Sequence, residues 1–295
     1  MDLMSGSGQK APFIMTVDVE DWYTSSIDLF AEAEGDHGRP PDASVLANTR
    51  RCLELFARNN TKATFFILTT VAEAYPELIR EIEREGHEIG VHGHQHRLIY
   101  RLTPGAFEED LRKSIAILRR IGVRHIYGFR APYWSITKKS FWALDILKSN
   151  GLRYDSSIFP IYRKLYGISD APTRPYEVIP GLMEYPPATY RVCGLNIPIA
   201  GGGYLRMLPF QLLKPMIRCA GRQGGLVFYL HPYELDPTDV QGVSSPKSLK
   251  SRLYLFQQML GRNGNPLKIE KLLGCARFES FAAAYGMEGW NGHAN

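Results

Sequence analysis

The stretch FIMTVDVEDWY, residues 13–23, decides the fold. Its first half is an almost unbroken apolar run, the pattern of a strand buried on both faces in a parallel sheet. Its second half sets three carboxylates, Asp18, Glu20 and Asp21, beside Trp22 and Tyr23. Carboxylates packed this closely repel one another, so the arrangement persists only with a compensating cation, proton or ligand. Period-two alternation along a strand puts Asp18 and Glu20 on one face and Val17 and Val19 on the other. One acid can then bind a metal while its neighbour stays free as a base.

Outward from this strand the chain alternates short β-rich runs with helical patterns. Strands are expected at 12–18, 62–67, 87–91, 126–129, 183–186 and 225–230, and helices at 43–59, 71–85, 104–121, 138–150, 209–222 and 247–262. In the third helical window Phe107, Leu111, Ile115 and Leu118 recur at spacings of three and four, behind a Thr103-Pro104 start signal. Repeated strand-helix units imply an α/β protein, a parallel sheet closed or nearly closed into a distorted (β/α) barrel. Residues 160–208, rich in proline and holding Gly201-Gly202-Gly203, read as loops and short strands beside the barrel mouth.

The 295 residues, 44% hydrophobic and 22% charged, suffice for a full core. The net charge of +5 is spread along the chain without a basic run, which argues against nucleic acid. It permits peripheral contact with an anionic membrane surface, such as the inner membrane face. The four cysteines lie far apart, which fits reduced thiols in the cytoplasm better than a disulfide framework. No apolar run reaches the ~18 residues of a membrane span, and the N-terminus carries no apolar signal segment, so a cytoplasmic protein is expected.

In barrels of this kind chemistry sits where strands give way to loops. HGHQH, residues 92–96, follows the third strand and holds three of the chain's 8 histidines. One helical turn would bring His92 and His96 to the same side, where both could ligate one metal, while His94 would point elsewhere. A catalytic zinc usually takes three protein ligands, and the carboxylates of residues 18–21 supply the third donor.

Taken in order, TVDVEDW, HEIGVHGHQH, FRAPYW, YDSSIFP and YLHPYELD resemble the five motifs of NodB-type polysaccharide deacetylases. The resemblance spans roughly residues 13 to 236, and AGGGYLRMLP (200–209) is similar to the exopolysaccharide- and exosortase-associated branch. It implies a NodB-like barrel over residues 1–236, a helical C-terminal extension over 237–295, and a hydrolase that removes N-acetyl or related acyl groups from a glycan or lipid-linked sugar. It also implies that Asp18 is the base, that His92 and His96 hold a divalent metal, most simply Zn²⁺, and that Arg130 pairs with the base. Where many relatives have two adjacent aspartates this chain has Asp18-Val19-Glu20, so Glu20 takes the third ligand position, with Asp21 in reserve. Further implied are a Tyr133 backbone N–H for the oxyanion, His231 as general acid and Asp155 to orient it. Trp22, Trp134 and Leu230 would line a sugar pocket, since sugar rings pack on apolar surfaces. Two other readings stand beside this one: an amide hydrolase or deformylase acting on a different C–N bond, and a catalytically silent glycan-binding homologue.

Overall fold

A computed structural model describes residues 12–26, 40–163, 165–222, 224–239 and 249–287. Strand β1, Phe13–Val19, is buried along its whole length. It sits between β2 (Thr64–Ile67) and β10 (Val227–Leu230), parallel to both. From β2 the sheet continues in parallel through β3 (Glu88–Val91), β4 (Gly128–Phe129), β5 (Tyr154–Asp155) and β7 (Leu182–Glu184). Just past β7 a parallel bridge between Pro187 and Val227 joins the chain back to β10 and closes the ring. β6 (Tyr176–Ile179) adds on outside, antiparallel to β7, and β8 (Thr189–Val192) and β9 (Leu195–Pro198) form a separate hairpin. The expected distorted (β/α) barrel is therefore the fold.

Helices pack around the ring where the periodicity places them. In α5, Pro104–Ile121, the Thr103 hydroxyl accepts from the Ala106 N–H, and Gly122 ends the helix at φ +117°. Phe107, Leu111 and Leu118 of the expected stripe are buried, Ile115 is half-buried, and Ser114 and Ile117 complete the inner face. The single window at 71–85 is two helices, α3 (Thr69–Ala74) and α4 (Pro76–Arg84). The break is physical: Pro76 disfavours helical geometry at Tyr75, whose φ is −132°.

The alternation of β1 sorts its side chains as expected. Phe13, Met15, Val17 and Val19 join the core between sheet and helices, whereas Ile14 points into the barrel with Phe66, Tyr154 and Tyr185. Gly128 makes this filling possible, since a Cβ there would stand 2.0 Å from the Tyr154 ring. The bottom of the barrel is plugged by the C-terminal part. β11 (Phe278–Glu279) pairs with the start of β1, and α11 (Phe281–Ala284) inserts Phe281 among the aromatics. Glu88 anchors that plug, accepting from Tyr154 OH at 2.8 Å, Thr64 Oγ1 at 2.6 Å and the Ala282 N–H at 2.8 Å.

The chain after residue 236 thus contributes a strand to the sheet as well as the helices α9 (Leu249–Met259) and α10 (Asn265–Leu273). Residues 240–248 and 288–295 of the expected extension lie outside the described residues. No helix among the described residues is long and apolar enough to cross a membrane.

Candidate active site

Above the aromatic layer the inward positions of β1 turn polar. Thr16 meets Arg130, Asp18 follows one pleat higher, and Glu20 stands at the mouth. Arg130, just past β4, is fully buried and donates from Nη1 to Asp18 Oδ1 at 2.7 Å and to Thr16 Oγ1 at 2.6 Å. Its Nε and Nη2 donate to the carbonyl and hydroxyl of Ser156. The guanidinium also lies 4.4 Å from the Phe66 ring and 4.6 Å from the Trp134 ring, so its direction is fixed from three sides. A buried carboxylate held by a bidentate-capable cation stays in position with one oxygen, Oδ2, directed elsewhere.

Glu20, His92 and His96 come together at the mouth, all buried, with ligand atoms within 4.8 Å of one another. Glu20 Oε2 lies 2.6 Å from His96 Nε2 and 3.7 Å from His92 Nε2. Yet Oε2 forms no hydrogen bond, an orphaned buried acceptor facing two imidazole nitrogens. His92 Nδ1 is 2.8 Å from the Arg130 carbonyl, which can only accept, so Nδ1 carries the proton and Nε2 presents its lone pair inward. Burial opposes the charge on Glu20, but the imidazoles of His96, His92 and His231 outweigh it and hold the carboxyl well below its usual range. An ionised carboxylate and two imidazole nitrogens are a hard-to-borderline N₂O donor set of the kind that holds a divalent metal with open positions, so these residues fit the metal expected from the sequence.

The route to this pair differs from the expectation. Residues 92–96 form no helical turn: they are a loop bent by Gly93 at φ +79° and His96 at φ +55°. The left-handed His96 backbone, uncommon for a non-glycine residue, swings its ring under Tyr133, 4.8 Å away. His94 points away as expected, between α3 and α5, with Nε2 2.7 Å from Lys113 Nζ. Asp21 is also out of reach of the histidines. It accepts from the Thr24 N–H at 2.7 Å and the Asp42 N–H at 3.2 Å, capping the helix α1, Trp22–Ser26.

His231 follows β10 and faces Asp18 and Glu20, its Nε2 3.9 Å from Asp18 Oδ2 and 3.4 Å from Glu20 Oε1. Its expected partner, Asp155, is not there. Asp155 instead holds the Ser157 hydroxyl and shares a buried contact with Glu184, and its carboxyl is pushed up to about 6, chiefly by burial. The Ser157 hydroxyl in turn accepts from the Ala131 N–H at 2.8 Å, so Asp155 acts on the loop that carries Tyr133. The group that meets His231 is Glu234: Oε2 accepts from the His231 backbone N–H at 3.0 Å and lies 3.4 Å from Nδ1. Glu234 is itself backed by Arg206, Nη1 to Oε1 at 2.8 Å, and both side chains are 2% exposed. Sequence reasoning missed Glu234 although a signal existed, since His-Pro-Tyr-Glu places an acid three residues past the start of a helical turn, the reach of a capping box.

Tyr133 and Trp134 both adopt left-handed φ, +52° and +55°, in the turn after Pro132. A cleft of about 510 Å³ opens here, lined by Asp18, Glu20, His92, His96, Trp134 and His231 among others. Of the three residues expected to line a sugar pocket, Trp134 does. Trp22 does not: it is buried against Tyr233. Leu230 likewise faces the core between sheet and helices, because the inward side of β10 at the mouth belongs to Tyr229 and His231.

Residues 40–154 match the polysaccharide deacetylase family model, and residues 156–286 match a domain of unknown function, DUF3473. The chain thus carries a polysaccharide deacetylase domain of the NodB type. Among its relatives, a peptidoglycan-N-acetylglucosamine deacetylase of Bacillus cereus is 28% identical over 127 residues, 39% of this chain and 46% of that protein. A peptidoglycan deacetylase of Helicobacter pylori is 29% identical over 108 residues, 37% of this chain and 36% of that one. The chain therefore spans less than half the length of these curated relatives. A crystal structure of a candidate polysaccharide deacetylase from Mycobacterium smegmatis matches with TM-score 0.58 at 22% identity, covering 93% of this chain and 87% of that one, a likeness of fold.

Proposed function

We propose that this protein is a metal-dependent hydrolase that removes an N-acetyl or related acyl group from a carbohydrate, a glycan or lipid-linked sugar. The observation that carries the reading is the meeting of Glu20, His92 and His96 with the Arg130-held Asp18 and with His231 around one cleft. In this reading Glu20, His92 and His96 hold a divalent cation, zinc by donor type, which when bound polarises the acyl carbonyl and acidifies water beside it.

The remaining work falls to the chain's own groups. Asp18, gripped through Oδ1 by Arg130, accepts the proton of the attacking water on Oδ2. The Tyr133 N–H, presented by its left-handed turn, donates to the developing oxyanion. His231, across the cleft from Asp18, gives a proton to the departing amine. Glu234 replaces Asp155 as the group that orients His231 and favours its protonated form, while Asp155 keeps the Ala131–Trp134 loop in place. Trp134 forms an apolar wall for the sugar.

We further propose a cytoplasmic location with peripheral contact at the inner membrane face, in an exopolysaccharide setting; the four cysteines, all free thiols, suit a reducing compartment. The division at residue 236 stays part of the proposal, with the later residues completing the barrel floor.

Two variants test the separate tasks of the acids. With metal-loaded protein and N-acetylated sugar oligomers, Asp18→Asn should keep its metal and lose turnover by about 10²–10⁴, the contribution of a general base. Glu20→Gln should lose metal affinity about 10-fold or more, with activity partly restored by excess zinc. Release of formate instead of acetate would move the reading to a deformylase, and metal retained by Glu20→Gln but lost by Asp21→Asn would overturn the ligand assignment.

A further inference from the structure

Beside the catalytic cleft lies a second one, of about 450 Å³, with a one-sided charge. Among the described residues, Arg101, Lys138, Lys139 and Arg163 line it against one carboxylate, Asp170. Setting aside Arg101, which has a contact of its own, three cations less one acid leave a net charge of +2 on the walls formed by the described residues. Asp170 is taken by Lys138, at 2.6 Å. Lys139 and Arg163 form no ion pair among the described residues.

Arg163 is held by aromatic hydroxyls and not by a carboxylate. Its Nε donates to Tyr204 OH at 2.8 Å, its guanidinium lies 5.3 Å from the Tyr204 ring, and Tyr204 OH lies 3.3 Å from Tyr166 OH. Such contacts fix the direction of a cation without neutralising it. Arg163 and Tyr166 line both clefts, so the seam between the catalytic site and the basic cleft is itself a preoriented guanidinium.

We propose that the basic cleft binds a phosphate or diphosphate attached to the sugar that is deacylated, which rests on the catalytic reading above. Arg163 lines the cleft that holds Asp18 and His231 as well as the basic one, so a substituent of a sugar bound at the first has the second within its surroundings. A fork of guanidinium donors with two ammonium groups behind it suits phosphoryl oxygens, and two cations without an acidic partner, Lys139 and Arg163, exceed what one sugar carboxylate needs. The phosphoryl group can come from a nucleotide sugar or from a polyprenyl-linked sugar.

The test is calorimetric binding to metal-loaded Asp18→Asn protein, in which turnover is slowed by about 10²–10⁴. The probes are N-acetylglucosamine 1-phosphate, UDP-N-acetylglucosamine, a short-chain polyprenyl diphosphate N-acetylglucosamine in micelles, and the neutral N-acetylglucosamine trimer. The phosphorylated probes should bind about tenfold or more tightly than the trimer at low salt, the preference shrinking as salt rises. Adding Lys139→Gln and Arg163→Met, both at exposed positions, should abolish the preference. Whichever of the nucleotide and polyprenyl probes binds more tightly identifies the source. Equal binding of neutral and phosphorylated sugars, or a preference that survives the double change, overturns the inference while leaving the catalytic reading intact. Failure of the wild type to release acyl groups from any sugar overturns the catalytic reading, and the phosphate preference is still scored separately.

Discussion

Replacing Glu234 by glutamine probes the support behind His231, and the expected size follows from the structure. Burial raises the Glu234 pKa, but Arg206 first and His231 second pull it down, from 4.5 to about 2. At about 1.36 kcal/mol per pH unit, that fall corresponds to about 3 kcal/mol in favour of the ionised form. Glu234→Gln removes it and strands Arg206, a buried cation, so a loss of about 3 kcal/mol at neutral pH is expected, at the lower end of one-sided damage to a buried pair. Because the folded pKa lies below the unfolded one, the stabilisation is complete above pH 4.5 and is lost as pH falls from there toward 2. Urea unfolding of both proteins should show the full gap at neutral pH and a narrowing gap as acid is added. A gap that stays constant down to about pH 3 would refute the ion pair as its cause. Turnover should also fall, by about 10- to 100-fold, since His231 loses its Nδ1 partner. In a His231→Gln background the same substitution should cost little further activity, a coupling that general destabilisation does not produce.

Other expectations are more direct. Purified protein should carry about one divalent metal per chain by elemental analysis, the stoichiometry of a mononuclear site, and lose it in the His92→Ala, His96→Ala double variant; wild-type content there would sink the metal site. His94→Ala should keep its metal, because His94 faces Lys113 and Thr69. Trp22→Ala should destabilise the fold by about 3–5 kcal/mol while leaving KM for acetylated sugars unchanged, and a large rise in KM would return Trp22 to the pocket. Deleting residues 278–295 strips Phe278 from the core beside Phe13 and Phe228 and Phe281 from the barrel floor, and should cost about 3–6 kcal/mol by thermal unfolding, at 1.5–3 per buried aromatic.

Most of the barrel was legible because its strands are buried on both faces and its helices carry clean apolar stripes. β5 escaped notice since it is two residues long, Tyr154–Asp155, too short for any period to show. β11 escaped for the same reason, and its place beside β1 is a long-range pairing that local patterns do not encode. In the site, Asp18 and Glu20 were readable from alternation alone. His92 and His96 do come together, although not through the expected helical turn; a loop through Gly93 makes the same approach. Asp155 and Glu234 were exchanged because an acid next to a strand end gives no sign of which neighbour it turns toward. Only the fold shows Asp155 directed at Ser157 and Glu184 while Glu234 lies against His231.

The position of β1 also bears on how the molecule is assembled. The strand that carries Asp18 and Glu20 is made first, yet its partners arrive at residue 64, at residue 227 and finally at residue 278. Pairings across such sequence separations form late, because closing long loops costs entropy before any contact repays it. A nascent chain that has emerged only to the end of β7 therefore has Glu20, His92 and His96 in hand but one side of β1 still unpaired. The Glu20, His92 and His96 cluster can form well before His231 and Glu234 are joined to it, so on the proposed reading the order of synthesis separates metal binding from turnover.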